Sequence, residues 1–402
     1  MNITIITEVL PWPLNTGGAQ AQFNMIDSLR HQNHFTIICI ENSMNKIESM
    51  NELQAMWPEV KIVMYPFWRQ LLYPKFLKDK IERALKLKFT PDDTRFKVQR
   101  ILKPYGIWYS KDFVNFVNEI IDRESTDVIQ VEFFACLHMV NYLPTSIRKI
   151  FIHHELRYIR NERQTSSFQL TVLEEEQLKQ TKRQEIEDLQ KYDAIVTLTQ
   201  KDKDFLKSEG VMVPIYVSPA AVQTTSLPYQ KWNGKLSFVG GYVHGPNKEG
   251  LDWYIEHVIP LLGDNAPMLD IVGKGWPEKY SHSKINIIGF VPNLPEAIHG
   301  SIMIVPILSG SGMRMKIIEA MALSMPIITT SVGVEGIKLI DKESCLIADE
   351  PKDFAEAINF LVSHPEICQS LGERANNVFR QYYSIEVLSG IRNKVYSQFF
   401  LQ

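Results

Sequence analysis

Gly310-Ser311-Gly312-Met313-Arg314-Met315-Lys316-Ile317-Ile318-Glu319-Ala320-Met321-Ala322 is the stretch whose reading decides the fold. A short Gly/Ser loop follows the apolar run 301–308 and opens directly into a helical pattern, predicting a strand, a loop and a helix in succession. The glycines leave backbone N–H groups accessible at a helix N-terminus, where the dipole favours an anion. Arg314 and Lys316 add two cations in the first turn, and an arginine can hold a phosphate bidentately. Glu319 follows at i+3 from Lys316, on nearly the same helix face, so a carboxylate stands beside the cations. Cations for a diphosphate next to a carboxylate for two vicinal hydroxyls describe the pyrophosphate and ribose of a nucleotide. The same residues also make a plain Ser-capped helix start with surface charges, and the context separates the two readings.

That context follows at once. Ser324-Met325-Pro326 stops the helix, because proline disfavours helix in the residue before it. Ile327-Ile328-Thr329-Thr330 is a short buried-strand pattern, and Gly333-Val334-Glu335-Gly336 is a turn. The block 310–336 resembles the donor-site signature of the retaining GT-B glycosyltransferases, glycosyltransferase family 4 (glycosyl transferases group 1). The resemblance implies an α/β, GT-B fold with two Rossmann-like domains facing across a cleft. It also implies transfer of a sugar from a nucleotide diphosphate sugar to an acceptor hydroxyl with retention.

Other segments agree with it. Thr16-Gly17-Gly18-Ala19-Gln20 looks like the family's Gly-Gly turn at the cleft; as residues, Gly17 and Gly18 permit positive φ and close approach of a ligand. Phe238-Val239-Gly240-Gly241 opens the second domain as the family's strand–Gly turn does, and Pro246-Asn247 resembles a variant of one branch. Ile288-Gly289-Phe290-Val291 resembles the segment whose backbone reads the nucleobase, which makes Phe290 and Val291 donor-site candidates. By the resemblance Gly310, Ser311, Gly312 and Met313 also contact the donor, and Arg314, Lys316 and Glu319 serve the chemistry. Two departures stand out. Ser311 occupies the position of the first of two family glutamates, so the usual contact to the donor sugar is in question. Gly240-Gly241 replaces the common Gly-Arg, leaving Arg314 and Lys316 as the diphosphate cations, with Lys248 and Lys274 as weaker candidates.

In the first domain, Ile150-Phe151-Ile152-His153-His154-Glu155 ends a strand. The family carries a histidine near this point, and His154 followed by Glu155 matches its order best, with His153 possible at a one-residue shift. An imidazole there can hydrogen-bond the donor sugar or diphosphate and orient the acceptor. Glu132, ending the 127–132 strand, is a further acceptor-side candidate, although a lone carboxylate is more often a cap or ion-pair partner.

At 402 residues the chain is too long for one core and predicts two domains, each of about 150–200 residues. Strands are expected at 2–7, 35–40, 61–65, 127–132, 149–153, 194–198 and 215–217, then at 235–239, 269–272, 285–288, 302–306 and 327–329, with helices between. The expected domains are 1–217 on the acceptor side and 218–383 for the nucleotide sugar, with a tail helix over 384–402 returning to the first. A net charge of −3 argues against a nucleic-acid partner. No apolar run reaches 18 residues and no basic leader is visible, so a cytoplasmic protein is expected. Cys39, Cys136, Cys345 and Cys368 are far apart with no metal-ligand spacing, and read as isolated reduced thiols. No Asp-x-Asp-like cluster serves the donor site, so neither a metal nor another cofactor is expected. The charged run 174–191 reads as an exposed helix.

Between Trp68 and Lys103 lie eleven Lys or Arg against four Asp or Glu, interleaved with aromatic and aliphatic residues. Leu77, Ile81 and Leu85 fall at helical spacing, with Lys78, Arg83 and Lys86 elsewhere on the turn. A basic amphipathic helix can lie peripherally on an anionic membrane and suits a lipid-linked saccharide acceptor. It can equally pack its apolar stripe on its own domain. Two other functions fit the architecture: a nucleotide-sugar 2-epimerase, which needs further acid–base carboxylates, and a catalytically silent sugar-nucleotide-binding partner subunit.

Overall fold

A computed structural model describes residues 1–43, 45–71, 98–99, 101–102, 109–223, 227, 230–263, 266–310 and 312–398. Contacts divide the chain into two units, Met1–Leu14 with Ile26–Ser218 and Asn393–Gln402, and Asn15–Met25 with Pro219–Arg392.

The first unit is built on β1 (Asn2–Thr7), β2 (His34–Ile40), β3 (Lys61–Tyr65), β4 (Val128–Glu132), β5 (Arg148–His153), β6 (Ala194–Thr197) and β7 (Ile215–Val217). All pairings are parallel, in the order β3-β2-β1-β4-β5-β6-β7. Helices cover both faces of such a sheet, so its central strands are buried on both faces rather than alternately; β4 is buried at every position, Gln130 and Glu132 included. Strand order reverses between β1 and β4, and ligands of open α/β sheets gather at the carboxyl ends beside that reversal. Thr7 pairs with Glu132, and Glu132 with Ile152, so β1, β4 and β5 end level.

The second unit repeats the plan with β8 (Lys235–Val239), β9 (Met268–Val272), β10 (Ile285–Gly289), β11 (Ile302–Val305), β12 (Ile327–Thr329) and β13 (Leu346–Ile347). Its order is β10-β9-β8-β11-β12-β13, again parallel, with the reversal between β8 and β11. Gly240-Gly241 follows β8 directly, and the 306–312 loop follows β11.

Expected and observed elements differ in a few places. The tail helix is Ile385–Gln398. The two-residue β13 is too short to leave a pattern. The run 174–191 falls in a helix, Val172–Leu189, but one only partly exposed: Glu175, Glu176, Lys179 and Arg183 face solvent, whereas Glu174, Thr181, Glu185 and Asp188 are buried against polar partners. All four cysteines are free and buried. Lys78, Arg83, Lys86 and the 77/81/85 spacing lie outside the described residues. Among the described residues no helix is long and apolar enough to cross a membrane.

Candidate functional site

The second unit brings most of the donor-side candidates together. The helix Met315–Ala322 starts behind the loop, with Arg314 at its N-cap and no side-chain cap on its first N–H groups. Gly310 (φ 102°) and Gly312 (φ 81°) take the left-handed backbone that lets the chain turn into that helix. Ser311 lies outside the described residues. Met313 is half-buried beside them. Arg314 folds back so that Nη1 donates to the Gly312 carbonyl.

Lys316 Nζ donates to Asn247 Oδ1 at 2.8 Å and stands 4.1 Å from the centre of the Phe238 ring. Burial pushes its pKa from the usual lysine range down to about 7, assisted by repulsion from Arg314 and opposed by Glu319. One turn on, Glu319 Oε1 accepts from Gln20 Nε2 at 2.6 Å. Burial raises the Glu319 carboxyl to about 7, against the pull of Gln20 and Lys316. The two groups titrate together near neutrality.

Gly17 and Gly18 open the helix Gly17–Leu29, and neither adopts a positive φ. The physical requirement at Gly17 is space: a Cβ there would stand 3.2 Å from Met315 Cγ. Gly240 is constrained likewise, since its Cβ would lie 2.3 Å from Asn247 Nδ2. A Cβ on Gly241 would meet the Lys274 carbonyl at ordinary contact distance, and the Gly241 carbonyl accepts a hydrogen bond from Asn247. Phe290 is 54% exposed, with Lys274 Nζ 4.2 Å from its ring centre, and Val291 beside it is half-buried. Lys248 is engaged by Asp252 at 2.6 Å. Asn247 is the residue the sequence signalled only through the Pro246-Asn247 pair.

In the first unit, His154 Nε2 lies 2.8 Å from Glu132 Oε2, and its ring stacks on Phe133 at 4.0 Å. Glu132 also accepts from Gln130 Nε2 at 2.6 Å, and Gln130 Oε1 accepts from the Tyr396 hydroxyl at 2.6 Å. The chain Tyr396–Gln130–Glu132 thus fixes the imidazole of His154 from behind. His153 points elsewhere: it is buried against Glu185 Oε1 at 3.0 Å, and Glu185 in turn accepts the Arg157 and Tyr158 N–H groups. Of the two adjacent histidines, His154 is the partly exposed one. Among the described residues, no group of three or more His, Cys, Asp or Glu is arranged to hold a metal ion.

Two parallel Rossmann-like units carrying these turns define the class, the GT-B fold. TarM of S. aureus is similar to this chain over 99% of each, with a TM-score of 0.69; at 12% identity that likeness shows the fold alone. Residues 233–364, in the second unit, match the model described as Glycosyl transferases group 1, in agreement with the resemblance drawn on 310–336. An uncharacterized 44.6 kDa protein of the cps region of Klebsiella pneumoniae is 28% identical over 210 residues, 48% of this chain and 53% of that protein. An uncharacterized glycosyltransferase of Methanocaldococcus jannaschii is 34% identical over 100 residues, 24% of this chain and 28% of that protein. The matches thus span about half or less of these curated relatives.

Proposed function

We propose that the chain is a retaining glycosyltransferase that moves a sugar from a nucleotide diphosphate sugar to an acceptor hydroxyl in polysaccharide or glycoconjugate synthesis. The observation that carries this reading is the Lys316 ammonium, held by Asn247 over the Gly240-Gly241 turn, with Glu319 one turn further along the same helix. As the bond between sugar C1 and the diphosphate oxygen breaks, negative charge gathers on the leaving diphosphate. Prearranged cations and helix N–H groups stabilise that charge without reorganising. Lys316 and Arg314 take this part in place of a metal ion, so turnover should survive EDTA. Glu319 accepts the ribose hydroxyls. Phe290 lies against the base. His154, oriented by Glu132, aligns the acceptor hydroxyl.

TarM was solved with UDP and alpha-GlcNAc-glycerol, which supports a nucleotide diphosphate product and an α-linked one. The acceptor is proposed to be a saccharide, free or lipid-linked. Thermal shift with UDP, GDP, ADP and dTDP identifies the base, because a ligand of the folded state raises its melting temperature. Release of that nucleotide from its sugars is then followed with and without saccharide acceptors, and NMR of the product reads the anomeric configuration. Acceptor-dependent release with retention is the expected result. A free epimerised sugar would assign a 2-epimerase instead, and binding without turnover a silent partner subunit. No shift with any nucleotide overturns the reading.

A further inference from the structure

We infer that Asn247 is the positioning residue of the diphosphate cation, holding the Lys316 ammonium in place without neutralising it. This rests on the donor-site reading given above. Asn247 is 7% exposed, and both ends of its amide are in use. Oδ1 accepts from Lys316 Nζ at 2.8 Å, and Nδ2 donates to the Gly241 carbonyl at 3.1 Å. An ammonium only donates and a carbonyl only accepts, so the amide has a single orientation. The side chain fills the space over Gly240, whose hydrogen is the only substituent that fits. Pro246, one residue earlier, packs on the other turn, 3.3 Å from where a Gly310 Cβ would be. The Pro246-Asn247 pair therefore ties both glycine turns to the start of the helix Gly245–Trp253.

The chemistry of the partner matters. A carboxylate at this distance would form an ion pair and cancel the charge that an incoming diphosphate must meet. The amide fixes the ammonium and leaves its charge intact. Lys248, the next residue, shows the contrast: Asp252 pairs with it at 2.6 Å. The other charges near Lys316 are Arg314 and Glu319 on its own chain segment; on β8, Lys235 is paired with Asp270. Among the described residues Nζ makes no other hydrogen bond, so two of its three N–H groups remain for phosphate oxygens.

Calorimetric titration with inorganic pyrophosphate tests this on the full chain across about pH 6–9, a window that brackets the titration of Lys316 near 7. Wild type, Asn247→Ala, Asn247→Asp and Lys316→Ala are compared as ratios, in which the probe's own ionisation cancels. Asn247→Ala is expected to bind about tenfold more weakly. Its deficit should grow with pH, because an ammonium without its acceptor loses its proton sooner. Asn247→Asp is expected to bind more weakly at the acid end, while its affinity persists to higher pH, because the carboxylate holds the proton on Lys316. Melting curves check that each variant is folded; should Asn247→Ala not fold, Asn247→Ser takes its place. Variants that bind like wild type, or lose affinity by one pH-independent factor, overturn the positioning role. If Lys316→Ala itself binds pyrophosphate normally, the donor-site reading fails first.

Discussion

At the scale of single residues, the proposed donor site concentrates two costs that a folded protein ordinarily avoids. Lys316 and Glu319 both titrate near 7, each displaced by burial in the direction that disfavours its charge. Lys316→Ala and Arg314→Ala should each weaken UDP binding by about 1.5–3 kcal/mol while leaving uridine binding unchanged, since only the diphosphate meets the cations. Equal losses for nucleotide and nucleoside would place both residues away from the phosphates. The buried ammonium also has a stability consequence. Below pH 7 Lys316 is charged both folded and unfolded, and the folded chain bears the full desolvation cost. That cost fades as pH climbs from about 7 towards the ordinary lysine value of 10.5. Lys316→Met, which keeps the stem and removes the charge, should therefore stabilise the ligand-free protein at pH 7 by about 1–2 kcal/mol, a modest figure because the side chain is only partly covered. The gain should shrink towards pH 10. A destabilised Lys316→Met variant at pH 7 would show that the ammonium contributes more than it costs. The loop and helix start from Gly310 to Glu319 could be proposed from sequence because these residues are contiguous. Asn247 was not, because its partner lies 69 positions away, and Gln20 lies 299 positions from Glu319. A linear pattern carries the loop but not the side chains that come to it.

At the scale of elements, the strands were readable because parallel sheets bury both faces and so favour apolar, β-branched runs, even where a buried Gln130 or Glu132 interrupts them. Helix partners were not. The helix Val172–Leu189 shows both signs of charge along its length, yet Glu185 is fully buried within it. Its carboxylate accepts the Arg157 and Tyr158 N–H groups of the helix Arg157–Thr165, whose own N-cap is Leu156 and offers no side-chain acceptor. A neighbouring helix thus caps this one, and the same carboxylate holds His153. Glu185→Ala leaves two helix N–H groups and an imidazole unpaired, and should cost about 3 kcal/mol in urea unfolding. Glu185→Gln keeps one oxygen acceptor and should lose less. Equal, small effects from both would mean that water replaces the carboxylate at the helix start. Read in sequence, Glu185 shows only a charge and a helical position. Its burial follows from where β5 and the Arg157–Thr165 helix present donors.

At the scale of the whole molecule, each unit repeats one device: a parallel sheet whose strand order reverses beside its first strand, with the residues proposed to carry the chemistry at the carboxyl ends there. In the second unit these are the turns after β8 and β11; in the first they are Glu132, ending β4, and His154, just past the end of β5. The alternation of strands and helices made that plan legible, whereas the segment 72–97 lies outside the described residues and is read from its composition. From Trp68 to Lys103 it carries eleven basic residues against four acidic ones on a chain whose net charge is −3, so the basic charge is local. If the acceptor is lipid-linked, this segment is the natural membrane contact, with each basic residue contributing about 1 kcal/mol near an anionic surface. Cosedimentation with anionic vesicles should then fall steeply with added salt, because exposed charges are screened beyond about 8 Å at physiological ionic strength. Replacing Lys78, Arg83 and Lys86 together by Gln should reduce vesicle binding and leave UDP binding intact, since the residues proposed to hold UDP lie in the second unit. Neutral vesicles should bind little under any condition. If neither kind of vesicle binds the wild-type chain at low salt, the segment packs on its own unit and the acceptor is a soluble saccharide.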